Sequence, residues 1–167
     1  MKVELVPHNP AWAGLADAES QRWLAVLGEG AVVHHIGSTA IAGIMAKPVI
    51  DLMPVVPDVA LVDERGVVGL GYEWRGEFGI AGRRFCTRNA VGGERLFNVH
   101  IFGVGSPEVS RHLAFRDYLR AFRNEALEYE RVKLAAAALC PDDVLAYNEA
   151  KSGWLKGCEQ RALLWTK

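Results

Sequence analysis

Residues 48–56 read Pro-Val-Ile-Asp-Leu-Met-Pro-Val-Val, an almost unbroken apolar run with one carboxylate, Asp51, set between Ile50 and Leu52. A run this short and this hydrophobic predicts a strand covered on both faces, so the chain must build a sheet with material packed on either side. An aspartate in that setting is costly unless it is paired or serves a ligand. Pro54 predicts an end or a bend in the strand, because proline cannot donate to a ladder.

The rest of the chain supplies the covering elements. Asn9-Pro10 reads as a cap followed by proline at a first helical position. The stripe Trp12, Leu15, Ala16, Trp23, Leu24 and Leu27 then predicts one helix face, closed by Gly28 and Gly30. Ala31–Ile36 predicts a strand, residues 39–47 a small-residue connection, and Val59–Gly69 a helix. Arg83–Asn89 and Arg95–Phe102, joined by Val-Gly-Gly-Glu, predict a β-hairpin. Ser106-Pro107 opens a helix with Phe115, Tyr118, Leu119 and Phe122 on one face. A second helix runs from Asn124 to about Leu139, and Asp142 caps a third reaching roughly Lys156. This order predicts an α+β or α/β arrangement, with α+β preferred: a small mixed sheet flanked by helices with a helical C-terminal segment. It reads as a single domain over residues 1–167, with a sheet-containing part over 1–105 and a helical part over 106–167.

Charge narrows the partners. The formal net charge is −1 over 167 residues, which argues against a dedicated nucleic-acid binder. The charge is uneven, however. Residues 71–123 hold nine basic residues against five acidic ones, and every basic residue there is arginine. Arginine offers a planar fork for phosphate or carboxylate, so the stretch reads either as a solvated basic face or as a place for an anionic small molecule, such as a small phosphorylated ligand. Cys86, Cys140 and Cys158 are sparse and odd in number, as expected of reduced thiols in a cytoplasmic protein. No apolar stretch predicts a secretory leader or a membrane span.

Chemistry concentrates in His34-His35-Ile36-Gly37-Ser38-Thr39, then Gly43, Lys47-Pro48 and Asp51. A strand ending in Gly-Ser lets backbone amides approach an anion, with the serine hydroxyl as a further donor. A strand aspartate shortly afterwards can hold Mg²⁺ beside that anion. The spacing is not that of a Walker A loop, since Gly37 and Gly43 enclose five residues and Lys47 is followed by proline. Gly37, Ser38, Thr39 and Lys47 are therefore candidate ligand-binding residues and Asp51 a candidate metal ligand.

The run HHIGSTAIAGIMAKPVIDLMPVV, the later GIAGRRF, and RHLAFRDYLRAF resemble the GrpB family over nearly the whole chain. The resemblance implies a nucleotidyltransferase-like fold. It also implies a site in which a Gly-Ser turn cradles nucleotide phosphates and an Asp-x-Asp/Glu strand supplies metal ligands, joined by a carboxylate from a later strand. Gly37, Ser38 and Asp51 match. The second carboxylate position is Met53, and the later strand, Leu96–Phe102, offers His100. A thioether is a poor ligand for a hard cation.

On this reading Asp51 holds Mg²⁺ or Mn²⁺, with Glu77 as the carboxylate expected to compensate and Glu73 and Glu94 as further candidates. His100 is the candidate base for an acceptor hydroxyl. Arg83 and Arg84 are expected to neutralise phosphate, one pointing into the sheet face and one out. His34 and His35 lie on opposite strand faces and cannot both serve one site. Three functions stay open: nucleotidyl transfer, a catalytically silent module binding a nucleotide or coenzyme A precursor, and a metal-dependent hydrolase using Asp51 with His35 or His100. The resemblance also implies an association with coenzyme A metabolism.

Overall fold

The computed structural model describes residues 2–167. They form two compact units. One comprises Pro10–Gly37 and Val49–Val109, and the other comprises the chain up to Asn9 together with Ser38–Pro48 and Ser110–Lys167.

The sheet unit contains α1 (Ala11–Leu27), β1 (Val32–Ile36), β2 (Ile50–Val56), α2 (Glu64–Gly69), β3 (Glu73–Trp74), β4 (Arg84–Asn89) and β5 (Arg95–Gly103). Its five strands lie in the order β1-β2-β5-β4-β3. β2 is antiparallel to β1 and parallel to β5, and β4 is antiparallel to both β5 and β3. The apolar run at 48–56 is thus an interior strand of a mixed sheet. Pro54 neither ends it nor stops its pairing with Val33 on β1. The register with β5 holds at Ile50, Asp51 and Leu52 and resumes at Val55 and Val56, so the residue without an N–H falls where the parallel ladder is interrupted.

Alternation sorts the side chains onto two faces. Leu52, Val99, Ile101 and Cys86 are completely buried on one face. Helix α1 covers that face, since its Glu19 accepts from Arg88 of β4, which points the same way as Cys86. Trp12, Ala16 and Trp23 form the buried stripe of α1, and Trp23 meets Tyr72 edge-on at 4.8 Å. Leu15, placed on that stripe by periodicity, is instead half exposed, and the buried Glu19 and Ser20 take part in it. Glu19 is tolerated because Tyr72, Arg22 and Arg88 all donate to it.

Several predicted boundaries shift. Pro10, not Asn9, holds the position before α1, with no side-chain cap. The helix expected over 59–69 divides into a single 3₁₀ turn, Val59–Leu61, and the short α2, each capped by an aspartate, Asp58 and Asp63. The two-residue β3 had no sequence signal.

The helical unit contains most of α3 (Pro107–Ala121), with α4 (Arg123–Leu139) and α5 (Val144–Trp165). The Ser106 hydroxyl accepts from Glu108 N–H at the start of α3, as its sequence predicts. Asp143, rather than Asp142, caps α5, and that helix continues past Lys156 to Trp165. Ile41, Ile44, Ala114, Leu119, Tyr129 and Cys158 belong to its core. The connection at 38–48 is pinned by side chains: Arg120 donates to Ala40 O, and Arg123 to Ala42 O and Gly43 O. Both backbone groups of Met45 go to α4, the amide to Glu130 and the carbonyl to Lys133. Among the described residues no helix is long and apolar enough to cross a membrane, and the three cysteines are free.

Candidate functional site

The face of the sheet opposite α1 carries the polar residues. One cross-strand row runs through all five strands as Ile36, Asp51, Asn98, Thr87 and Glu73. His100 and Phe85 are paired beside it and point the same way. The candidate residues Asp51 and His100, distant in sequence, are thereby neighbours on one surface.

Their contact is a hydrogen bond of 3.2 Å between His100 Nε2 and Asp51 Oδ1. On its other side, His100 Nδ1 lies 3.3 Å from Arg83 Nη1. A guanidinium only donates, so Nδ1 accepts and the ring proton resides on Nε2, which donates to the carboxylate. Asp51, His100 and Arg83 form one directed chain of hydrogen bonds.

Arg83 is only 7 % exposed, and its surroundings explain why it stays in place. Its Nε donates to Glu77 O at 3.2 Å and its Nη2 to Phe78 O at 2.7 Å, while the guanidinium rests 4.7 Å over the Phe85 ring. The loop between β3 and β4 wraps around it. Glu77 closes that loop by accepting from Gly82 N–H, and Phe78 pays for the wrapping with a left-handed backbone, φ 48°. Burial lowers the Arg83 pKa, with Glu108 acting in the opposite sense. Arg84 points to the other face, and its guanidinium donates back to Arg83 O. The expected division of the arginine pair is observed, and the inward residue reaches Asp51 through His100 rather than directly.

Gly37 completes this corner. Its φ of +75° lies in the region glycine favours, and a Cβ there would stand 2.8 Å from Asp51 Oδ2. Gly37→Ala is expected to cost about 1–3 kcal/mol, from the backbone conformation and from the displaced carboxylate. A lowered melting midpoint, together with altered His100 ring signals in NMR spectra, checks both parts.

Ser38, Thr39 and Lys47 belong to the helical unit. The Ser38 hydroxyl donates to Tyr129 at 3.0 Å, and Tyr129 stacks against Trp154 at 5.5 Å. Thr39 is buried, and the Lys47 ammonium lies 5.3 Å over the Tyr147 ring. Residues 38–40 form a single 3₁₀ turn. His35 pairs with Leu52 and points away from the Asp51 face, which separates it from any hydrolytic pairing with that carboxylate.

The donor set does not fit a two-cation centre. Met53 is completely buried with its thioether, Glu77 is engaged by Gly82, and Glu73 stands three strands away from Asp51 along the row. Among the described residues no group of three or more His, Cys, Asp or Glu side chains could hold a metal ion. Two cations held a few ångströms apart need more oxygen ligands than Asp51 provides.

Phe78, Phe85, Asn98, Arg75 and Arg95 also shape this face, and sequence reasoning did not single them out for it. Alternation within Arg95–Phe102 could have paired Asn98 with His100. Nothing in the sequence marks Phe78.

Comparison with known proteins gives the same architecture a family. The profile described as GrpB protein matches residues 2–161. The UPF0157 protein YqkA of Bacillus subtilis is 41% identical over 169 residues, covering 99% of this chain. The chain spans about half of YqkA, 49% of its length. The crystal structure of conserved protein GrpB from Enterococcus faecalis superposes with a TM-score of 0.91 at 34% identity, covering 98% of this chain and 99% of that one. At the level of fold alone, Cid1 in complex with its short product ApU matches with a TM-score of 0.54 at 14% identity, over 79% of this chain and 42% of that one. The chain is a member of the GrpB family, built on a nucleotidyltransferase-like fold.

Proposed function

We propose that this chain binds a phosphorylated small molecule of the nucleotide class on the Asp51 face, and does so through hydrogen bonds rather than a two-cation centre. The observation that carries the reading is the chain Asp51–His100–Arg83. A carboxylate with one oxygen fixed by an imidazole N–H is a positioned acceptor, and a ligand hydroxyl or amino group supplies the matching donor. His100 acts here as a positioning residue. Its Nε2 donates to Asp51 and its Nδ1 accepts from Arg83, which occupies the lone pair that a base would need. The nucleotide class is supported by the fold shared with Cid1, whose complex contains ApU, and by the middle third of the chain, in which every Lys-or-Arg position is arginine.

Nucleotidyl transfer is the second reading. The Asp51 side chain is 29% exposed, which leaves room for one Mg²⁺ or Mn²⁺ if ligand phosphates supplied the remaining oxygens. Calorimetric titration with nucleoside triphosphates and dephospho-coenzyme A, in chelator and then in Mg²⁺, separates the two. We expect saturable binding in chelator, weakened roughly tenfold by Asp51→Asn. Binding seen only with Mg²⁺, and lost in the same variant, would overturn the first reading in favour of the second.

A further inference from the structure

The cross-strand row through Asp51 continues away from His100 to a pair of arginines. Arg75 Nε donates to the Thr87 hydroxyl at 3.0 Å, and Thr87 is itself only 2% exposed. Arg95 Nε donates to Asn89 Oδ1 at 2.7 Å, and its Nη1 to Asn98 Oδ1 at 2.8 Å. Both guanidiniums are therefore anchored on the row that contains Asp51. Asn98 is the immediate cross-strand neighbour of Asp51, and Thr87 that of Asn98.

Two features mark this pair as unfinished. The two arginines are close enough to repel: beside the effect of burial, Arg75 lowers the Arg95 pKa, and Glu73 opposes it. Glu73 is the carboxylate paired with Arg75, at 3.0 Å, and its side chain is 65% exposed, so water screens it and it is free to swing away. Second, among the described residues Arg75 Nη1 and Arg95 Nη2 donate to no side chain or carbonyl: Arg75 spends Nε and Nη2, and Arg95 spends Nε and Nη1. Arginines oriented by neutral hydroxyl and amide oxygens, with donors left over and positive charge in excess, match an oxyanion geometrically and electrostatically. Arg75 also lies 5.6 Å over Phe78, an exposed ring stacked on Phe85, so an aromatic group on the same ligand finds an apolar surface beside the anion.

We propose that Arg75 and Arg95 form an anion subsite that takes a phosphoryl group of the ligand whose donor group reaches Asp51. This rests on the binding reading above and adds where the phosphate lies. Strands are about 4.8 Å apart, so the subsite lies on the order of 5–10 Å from Asp51 along the row. That span suits a ligand with a phosphate at one end and a hydroxyl or amino group at the other.

The test uses the full chain and three probes: inorganic pyrophosphate, a nucleoside monophosphate and the nucleoside without phosphate. Arginine Nε–H NMR signals are followed during titration in chelator. The Arg75 and Arg95 signals are assigned from Arg75→Gln and Arg95→Gln, and exposed Arg131 serves as the reference. We expect both signals to shift saturably with pyrophosphate and with the monophosphate, and neither with the nucleoside. The double variant should bind the monophosphate at least about tenfold more weakly. Shifts spread equally over Arg131, no saturation at millimolar pyrophosphate, or unchanged affinity in the double variant would each overturn the subsite. The Asp51 reading is judged separately. If Asp51→Asn leaves nucleotide affinity unchanged while the Arg75 and Arg95 shifts persist, that reading fails and the subsite stands.

Discussion

Replacing Lys133 with methionine should stabilise the protein below pH 7 and destabilise it above about pH 10. Lys133 lies on α4 with 1% exposure, donates to Met45 O, and sits 4.5 Å over the Tyr129 ring. Burial pushes its pKa down from 10.5 to about 7, Lys151 and Lys47 push it further, and Glu130 resists. Below pH 7 the lysine is protonated in both folded and unfolded chains, and the folded state bears the full cost of the buried cation. Between pH 7 and 10.5 the unfolded chain keeps the proton and the folded chain has released it, so wild-type stability rises with pH. The slope reaches at most about 1.4 kcal/mol per pH unit, a ceiling of roughly 4–5 kcal/mol across the window. Methionine fills a similar volume without charge and leaves Met45 O without its donor, at a cost of about 1 kcal/mol. The two stability curves should therefore cross. Urea unfolding of both proteins from pH 6 to 10.5 measures the difference, and a difference that does not change with pH would refute the assignment.

Arg83→Ala should cost about 3 kcal/mol and dismantle the Asp51 site as well. The truncation strips donors from Glu77 O, Phe78 O and His100 Nδ1, and it leaves a void beneath the Phe85 ring. The loop between β3 and β4 then has no centre to wrap around, and Phe78 has no reason to hold a left-handed backbone. His100 loses the donor that fixes its tautomer. Imidazole ¹⁵N shifts should show the proton on Nε2 in the wild type and a mixture of tautomers in the variant. Unchanged tautomer populations would show that Arg83 does not orient the ring. Arg84→Ala, on the other face, serves as the control and should leave the His100 signals as they are.

Local pattern accounted for much of the fold. The apolar run around Asp51 reads as an interior strand because only a strand covered on both faces tolerates it, and it is one. The hairpin of β4 and β5 follows from two alternating segments around a Val-Gly-Gly-Glu turn, and its pairing is observed. The cap of α3 was legible because a serine before a proline has one favourable geometry there. The misplaced features share a cause. Leu15 looked like core and Glu19 did not, yet Glu19 is buried because Tyr72, Arg22 and Arg88 converge on it from other elements. Pro54 looked like a strand end, and the ladder with β5 skips it instead.

The sequence by itself determined the family, most of the order of elements apart from β3 and the division at 59–69, the apolar strand that carries Asp51, and the absence of a second carboxylate at Met53. It also showed that Arg83 and Arg84 must diverge, because alternation along a strand is a property of the chain alone. What the tertiary structure decided is which residues meet. His100 reaches Asp51 across 49 positions of sequence, Arg83 reaches His100 from a third segment, and Arg75 and Arg95 are anchored beside the same row. Those meetings depend on strand order and register, which pairing between distant segments fixes, and a shift of one residue would turn each side chain to the opposite face.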